Sequence, residues 1–187
     1  MHFPLSKRRN RAIFAPVEKR MSNKAPVYKH LIAVRNSRIQ GKGVFAISRI
    51  PKGRRIIEYV GDVITNEEAE KRYDDDPAER HHTFLFELDD DRCVDAAHGG
   101  NISRFINHSC SPNCEALIDG EHIYIFSLKN IQPGVELAYD YRYEVSGRHT
   151  RVLKEYYACC CGSPRCRGTI LRPPRKKRKK TGPRKSR

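Results

Sequence analysis

The sequence predicts a mostly β fold with a few short helices. Short apolar or β-branched runs recur along the chain, and turns that contain Gly and Pro separate them. The runs do not alternate with long helical segments, so a doubly wound, Rossmann-like sheet is not expected. A chain of 187 residues can bury one core of ordinary domain size, which argues against two large domains.

The predicted strands begin at His30. Each is a short run in which apolar and β-branched residues dominate or alternate with polar ones. In chain order they are HLIAV, GVFAI, RRIIEYV, FLFEL, DRCVDA, HIYIFSL and VELAYDY. One short helix is predicted at NEEAEKRY, because Thr65 and Glu68 form a capping box before it, and it should end before Pro77.

Positive charge is concentrated at the two ends of the chain. Residues 1–24 hold seven basic and one acidic residue, residues 172–187 hold ten basic and none acidic, and the part between them holds 20 basic and 21 acidic residues. The two ends therefore account for the formal net charge of +15. Both are predicted to be disordered. A run such as KKRKK can act as a nuclear address or bind nucleic acid non-specifically, and the sequence leaves both open.

The apolar runs are too short for a membrane protein. None approaches the roughly 18 residues that span a bilayer, and the basic start of the chain lacks the apolar stretch of a secretory signal. We therefore expect a soluble protein that makes no membrane contact and is not exported by the general secretory route.

Seven cysteines stand in clusters instead of being spread as a disulfide framework would be. Neighbouring thiols in a reducing compartment indicate metal ligands more than bridges. Cys159, Cys161 and Cys166 supply three thiolates, one fewer than a tetrahedral zinc site needs. The alternative is a set of free, partly buried thiols.

Several motifs follow one another in an order that is more specific than any one of them. They are GKGVFA, EYVGDVI, RFINHSCSPNC, ELAYDY and CCCGSPRCRGTIL. In order and approximate spacing they resemble the SET-domain family of protein-lysine methyltransferases with its cysteine-rich post-SET segment, over residues 29–171. The resemblance implies a β-clip-like fold, in which small curved sheets surround a knot-like active site where the NHS segment crosses the last strand.

The resemblance also implies a division of the chain. A SET catalytic domain would span residues 29–142, a linker 143–154 and a zinc-binding post-SET segment 155–171. A basic, disordered segment, 1–28, would precede them, and a basic, disordered tail, 172–187, would follow.

Site residues are implied position by position. Tyr141, Tyr59 and Tyr139 would be catalytic residues of the lysine channel, and the alternative for each is ordinary aromatic core packing. A lone histidine such as His108 is more often a hydrogen-bonded core residue than a ligand. The residues implied for binding S-adenosylmethionine are Gly41, Lys42, Gly43, Tyr59, Arg104, Phe105, Asn107, His108 and Tyr141.

The resemblance supplies the fourth zinc ligand as well. It is Cys110, in the NHSC segment, which would join Cys159, Cys161 and Cys166. The Zn2+ would be structural, because it would hold the post-SET segment over the channel without activating a reactant. Cys93, Cys114 and Cys160 are not needed as ligands.

The chemistry of methyl transfer explains why such residues are wanted. Positive charge moves from sulfur to nitrogen, so neither a carboxylate nucleophile nor a catalytic metal is required. Hydroxyl and carbonyl oxygens can hold the polarised methyl group by weak C–H···O contacts, and aromatic walls favour a cation. Burial beside a cation lowers the pKa of the substrate lysine from about 10.4. Tyr139 resembles the residue of members that add one or two methyl groups.

The predicted function is an S-adenosylmethionine-dependent protein-lysine N-methyltransferase that mono- or dimethylates a histone tail. The alternatives are a catalytically silent chromatin or nucleic-acid-binding module and a methyltransferase of a non-histone basic protein. The acidic patches EEAE, DDDPAE and LDDD could attract a basic substrate or be solvated loops. The expected location is the nucleus and chromatin in a eukaryote, and otherwise the cytoplasm or a host cell.

Overall fold

The computed structural model describes residues 10–11, 28–73, 84–145 and 148–173. The predictions for the two basic ends fall almost entirely outside these ranges, and so does the DDDPAE patch. Among the described residues, no helix is long and apolar enough to cross a membrane.

The described strands are short, and the longest have six residues. They are β1 (Asn10–Arg11), β2 (Ile32–Asn36), β3 (Lys42–Ala46), β4 (Arg55–Tyr59), β5 (Asp62–Thr65), β6 (Leu85–Glu87), β7 (Arg92–Asp95), β8 (Asn107–His108), β9 (Cys114–Asp119), β10 (His122–Ser127) and β11 (Ala138–Tyr139). The helices are α1 (Asn66–Arg72) and α2 (Arg151–Tyr156), with 3₁₀ turns at Tyr28–Leu31 and Ile102–Phe105.

The strands form four small sheets, which confirms the predicted mostly β architecture. Their strand orders are β1-β6-β7-β5, β4-β10-β9, β8-β11 and β2-β3. Neighbouring strands are antiparallel, except that β1 pairs with β6 and β8 pairs with β11 in parallel. One main core lies among the sheets, and its fully buried members include Val44, Ile56, Ile123, Ile125 and Leu137.

The predicted helix is present, with one difference at its start. Thr65 Oγ1 accepts a hydrogen bond from the Glu68 amide at 3.1 Å, as expected of the N-cap. The Glu68 carboxylate does not complete the capping box, because it accepts from Arg72 Nε at 3.0 Å one turn further along. The helix ends at Arg72, before Pro77.

Strand β1 lies in the segment predicted to be disordered, and three further strands have no clear signal in the sequence. Three of the four residues of β5 are exposed and the strand does not alternate, so only its pairing with β7 identifies it. Strand β8 is formed by two polar residues, Asn107 and His108, which pair in parallel with β11. Strand β9 is identified by its antiparallel pairing with β10 over six residue pairs.

A crossing holds the NHS segment against the last strand. The Ser109 amide donates to the Tyr139 carbonyl at 3.0 Å. The Asn113 amide donates to the Ala138 carbonyl at 3.1 Å, and Asn113 Oδ1 accepts from the Ala138 amide at 2.8 Å. Asn113 Nδ2 also donates to the Glu136 carbonyl at 2.7 Å. This crossing brings residues 107–113 beside residues 136–141.

The C-terminal segment folds back on the chain after this crossing. The Tyr143 amide donates to the Ile170 carbonyl at 3.3 Å, and the Arg172 amide donates to the Tyr143 carbonyl at 2.9 Å. Leu153 and Leu171 are buried together in a small separate core. Helix α2 crosses the boundary predicted between residues 154 and 155. Tyr143, Val145 and Leu153 from the predicted linker pack into this small core, so the described part of the linker does more than connect.

Candidate functional site

Three tyrosines that the sequence singled out lie together around Phe86. The ring of Tyr139 is 4.8 Å from that of Tyr141 and 5.9 Å from that of Phe86, whereas Tyr59 is 5.2 Å from Phe86. Tyr59 and Tyr139 are buried members of the main core, and Tyr141 packs against it. The structure therefore brings the three predicted catalytic residues together, while also giving them the packing role of core aromatics.

Two of these hydroxyl groups donate to backbone carbonyls. Tyr141 donates to the Ile106 carbonyl at 2.8 Å, and Tyr59 donates to the Phe84 carbonyl at 2.7 Å. Burial raises the pKa of both phenols above its usual value. Both hydroxyls are therefore neutral near pH 7, and since each donates its single hydrogen, its oxygen lone pairs are left as acceptors.

Asn107 anchors the turn that contains Gly41 and Gly43. Its Nδ2 lies 3.0 Å from the Lys42 carbonyl oxygen, 3.3 Å from that of Gln40 and 2.8 Å from Glu136 Oε1, so its two hydrogens are shared among three acceptors. The strand pairing between β8 and β11 positions this side chain.

Glu136 is the centre of this network, and sequence reasoning did not find it. Its carboxylate accepts from Ser37 Oγ at 2.7 and 2.9 Å as well as from Asn107. A Cβ on Gly43 would lie 2.8 Å from Glu136 Cδ and closer still to its Oε1, so a side chain here would have to displace the carboxylate from its partners. Gly41 has a φ of +46°, which favours glycine. The two glycines of the GKG motif thus suit the turn and its close contact with Glu136.

His108 is 4% exposed and holds the backbone at Tyr141. The Tyr141 amide donates to His108 Nδ1 at 3.1 Å, so in the neutral ring the proton lies on Nε2, which is 3.4 Å from Cys110 Sγ. Burial lowers the pKa of His108 to about 4, although Asp140 opposes this effect. His108 is therefore a neutral, hydrogen-bonded residue between β8 and the end of the last strand.

Arg104 and Phe105 support the loop before β8. Arg104 Nη1 donates to the Ala96 carbonyl at 3.1 Å, and its guanidinium lies 4.8 Å from the centre of the Phe105 ring and 5.4 Å from that of Phe84. Lys42 Nζ also lies 5.5 Å from the centre of the Phe105 ring. These contacts are worth about 0.5–2 kcal/mol each and hold the rings of Phe84 and Phe105 in place.

A cavity of about 350 Å³ opens beside the tyrosine cluster. Three predicted cofactor residues line it, namely Asn107, His108 and Tyr141. The other walls come from the turn after β2 and from the C-terminal unit, including Gln40, Glu155 and Tyr156, which sequence reasoning missed. The other predicted cofactor residues are not among those that line it, namely Gly41, Lys42, Gly43, Tyr59, Arg104 and Phe105.

Four of the cysteines meet at one point, as the sequence and the resemblance together predict. The sulfur atoms of Cys110, Cys159, Cys161 and Cys166 all lie within 4.8 Å of one another. That of Cys110 is 3.7 Å from Cys159 and 4.0 Å from Cys166. A tetrahedral Zn2+ with Zn–S bonds of about 2.3 Å needs sulfurs about 3.8 Å apart, so the donor set fits this metal. The other three cysteines lie outside the group, and Cys93 and Cys114 are buried.

Backbone amides are aimed at these sulfur atoms. Cys110 Sγ accepts from the Arg167 amide, Cys166 Sγ from the Gly168 amide and Cys159 Sγ from the Cys161 amide, each at 3.4 Å. Such N–H···S bonds stabilise the thiolate form that a metal requires. Because Cys110 lies two residues after His108, the cluster ties the C-terminal segment to the cavity wall.

A sequence profile of the SET domain matches residues 41–142. The chain is 40% identical over 152 residues to the histone-lysine N-methyltransferase, H3 lysine-4 specific, of Mycosarcoma maydis, covering 78% of this chain and 10% of that protein. It is 39% identical over 173 residues to histone-lysine N-methyltransferase SUV39H2 of Xenopus tropicalis, covering 81% and 41%. Identity to the histone-lysine N-methyltransferase trr of Drosophila melanogaster is 38% over 144 residues, covering 75% and 6%. The chain thus spans less than half the length of each of these relatives.

Proposed function

Because this chain belongs to the SET domain family, we propose that it is a protein-lysine N-methyltransferase that takes its methyl group from S-adenosylmethionine. Histone tails are the proposed substrate class, since the relatives named above are called histone-lysine N-methyltransferases. The observation that carries the proposal is the position of Tyr141. Its ring packs on Tyr139 in the aromatic cluster and also lines the cavity with Asn107 and His108.

The cavity supports a cofactor of this size and chemistry. Its volume falls within the range of about 300–1,000 Å³ that is usual for small-molecule sites. Asn107, His108, Tyr141 and Tyr156 would hold the cofactor, which supplies a methyl group on a positively charged sulfur when bound. Gly41, Lys42, Gly43, Arg104 and Phe105 would act indirectly, by shaping the turn and the loop that carry the wall.

The aromatic cluster would receive the substrate lysine. Tyr59, Phe86 and Tyr139 offer an apolar, water-poor surface, and desolvation there lowers the pKa of an amine, so the neutral form that attacks becomes accessible. Tyr141 would orient the amine and the methyl group with its free oxygen lone pairs, because its hydrogen is committed to Ile106. Alignment of the two reactants would supply most of the rate.

Tyr139 would limit the product to one or two methyl groups. Its ring is 3% exposed and lies between Phe86 and Tyr141, so its hydroxyl adds polar volume to an already crowded cluster. A hydroxyl that holds a water molecule leaves less room for a dimethylated amine to turn its lone pair toward the methyl donor.

The four-cysteine cluster would hold a structural Zn2+. The ligands would be Cys110, Cys159, Cys161 and Cys166, and the metal would keep residues 155–171 folded against the cavity. We propose the SET domain at residues 29–142 and the post-SET segment at 155–171, with Tyr143, Val145 and Leu153 packed onto the latter.

The test is methyl transfer from labelled S-adenosylmethionine by the full chain to a panel of core histones and basic DNA-binding proteins. Mass spectrometry would locate the products. We expect transfer to a defined lysine at a degree of one or two methyl groups. Cofactor binding measured by calorimetry without transfer to any protein of the panel would contradict the proposal and favour a binding module.

A further inference from the structure

The N-terminal segment forms the outermost strand of a sheet. Strand β1 pairs in parallel with β6, with Asn10 opposite Phe86 and Arg11 opposite Glu87. Strand β6 is bonded to β7 on its other side, so it would be the edge of this sheet if β1 were removed. The occupant of this edge is a segment more than 70 residues earlier in the chain.

The covered edge lies beside the tyrosine cluster. Phe84, directly before β6, accepts the hydrogen bond of the Tyr59 hydroxyl through its carbonyl at 2.7 Å. Phe86, in the middle of β6, has its ring 5.2 Å from Tyr59 and 5.9 Å from Tyr139. A strand added to β6 therefore runs past the proposed site of the substrate lysine.

Strand β6 presents alternate backbone groups to β1. The backbone groups of Phe84 and Leu88 face the β7 side. The Phe84 carbonyl accepts from the Ala96 amide at 3.0 Å, and the Leu88 amide donates to the Arg92 carbonyl at 3.0 Å. Backbone groups alternate in direction along a strand, so those of Leu85 and Glu87 are turned to the opposite edge. An extended peptide binds such an edge by main-chain hydrogen bonds.

The segment that occupies the edge has the charge of a basic substrate tail. Lys7, Arg8 and Arg9 directly precede β1 in the sequence, and Arg11 lies in β1 at the register position opposite the acidic residue Glu87. The described part of the chain between residues 28 and 173 also carries the acidic EEAE and LDDD segments. Charge complementarity therefore favours a basic peptide on this edge.

We propose that the chain's own N-terminal segment occupies the β6 edge in cis and competes there with an extended basic peptide of the protein substrate. The identification of that peptide as the substrate rests on the proposed function. Because the described part of β1 pairs over two residues, a longer peptide can displace it. If the segment covers the edge in about nine molecules of ten, the apparent Kd of the peptide is raised about ten-fold.

The test uses the full chain with Asn10→Pro and Arg11→Pro together, because proline has no amide hydrogen to donate to β6 and disfavours pairing of the short strand. The matched control is Ser22→Pro with Asn23→Pro, two prolines in the same terminal segment but outside β1. Hydrogen exchange of the Glu87 amide reports on the edge, and that of the Leu88 amide, bonded toward β7, is the internal reference. Binding of a fluorescent peptide of histone H3 residues 1–20 is measured by anisotropy, and its KM and kcat by methyl transfer.

We expect the β1 variant alone to lose protection at Glu87, to bind the peptide roughly ten-fold more tightly and to show a lower KM with kcat unchanged. A synthetic peptide of residues 5–16 should reverse the gain when added to that variant. Unchanged protection at Glu87, or loss of protection with unchanged peptide affinity, overturns the inference. The exchange and anisotropy measurements do not depend on turnover. If the β1 variant bound the peptide more tightly but no methyl transfer were detected, the proposed activity would be refuted and the docking edge would still be supported.

Discussion

Arg167 donates to both carboxylate oxygens of Asp140, at 2.9 and 2.8 Å. The backbone amide of the same arginine donates to Cys110 Sγ, and Asp140 directly precedes Tyr141. One residue of the C-terminal segment is thus bonded to the cysteine cluster and to the residue that precedes Tyr141 in the cavity wall. Both side chains are less than one quarter exposed, so this ion pair is better shielded from solvent than the helix pairs at the surface.

Replacement of Arg167 by Gln should loosen the C-terminal unit. The loss of a paired, charge-assisted bond in a partly buried position should lower the free energy of unfolding by about 1–3 kcal/mol. Thermal and denaturant unfolding measure this change. The matched control is Arg151→Gln, because Arg151 is 92% exposed in its pair with Glu155 and its loss should cost no more than about 0.5 kcal/mol. Equal effects of the two changes would contradict the coupling.

Replacement of Tyr141 by Phe should lower kcat while the chain stays folded. The change removes the positioned oxygen and leaves the Ile106 carbonyl without its donor, so we expect a loss on the order of 10² in turnover. Steady-state methyl transfer measures it, with cofactor affinity determined separately by calorimetry. Tyr124→Phe is the control, since Tyr124 packs on Arg55 and His122, away from the cluster. Full turnover by the Tyr141 variant would refute its proposed role.

The zinc content should depend on the four-cysteine cluster and not on the neighbouring Cys160. We expect one zinc ion per chain by plasma mass spectrometry, and its loss in a Cys159→Ser variant together with faster proteolysis of residues 155–171. Cys160→Ser is the control, because its thiol is exposed and outside the group. Acid should also release the metal, since protons compete for the thiolates. Retention of the zinc by the Cys159 variant would show that the cluster does not hold it.

Replacement of Gly43 by Ala should disrupt the Glu136 network. The new methyl group meets the carboxylate that Ser37 and Asn107 share, and overpacking of this kind costs about 1–3 kcal/mol. Unfolding experiments on Gly43→Ala, Glu136→Ala and the double variant form a cycle. We expect the double variant to lose less than the sum of the two single changes. Strict additivity would mean that the clash with Glu136 is not the cause.

Replacement of Tyr139 by Phe should raise the degree of methylation. Without the hydroxyl the cluster keeps its ring contacts with Phe86 and Tyr141 but gains space for a larger amine. Mass spectrometry of a peptide product should show one or two methyl groups for the original chain and a shift toward three for the variant. Trimethyl-lysine as the main product of the original chain would contradict the proposed limit.

The sequence by itself determined features that depend on neighbouring residues and on the chemistry of single side chains. The alternating run at β10, the N-cap at Thr65 and the end of α1 before Pro77 were all predictable, because periodicity and capping act over a few residues. The C-x-C-x4-C pattern likewise identified three thiolates as candidate metal ligands. The fourth, Cys110, came only with the family resemblance, since nothing in the local pattern connects residues 49 positions apart.

The tertiary structure alone decided the contacts between distant residues. Ser37 meets Glu136 across 99 positions, Asn107 reaches Glu136 across 29, and Arg167 reaches Asp140 across 27. It also decided that two polar residues, Asn107 and His108, form a strand, and that Asn10 and Arg11 cover the edge of β6. Strand pairing is a long-range choice set by which edges the fold leaves free, so no local pattern of residues encodes it.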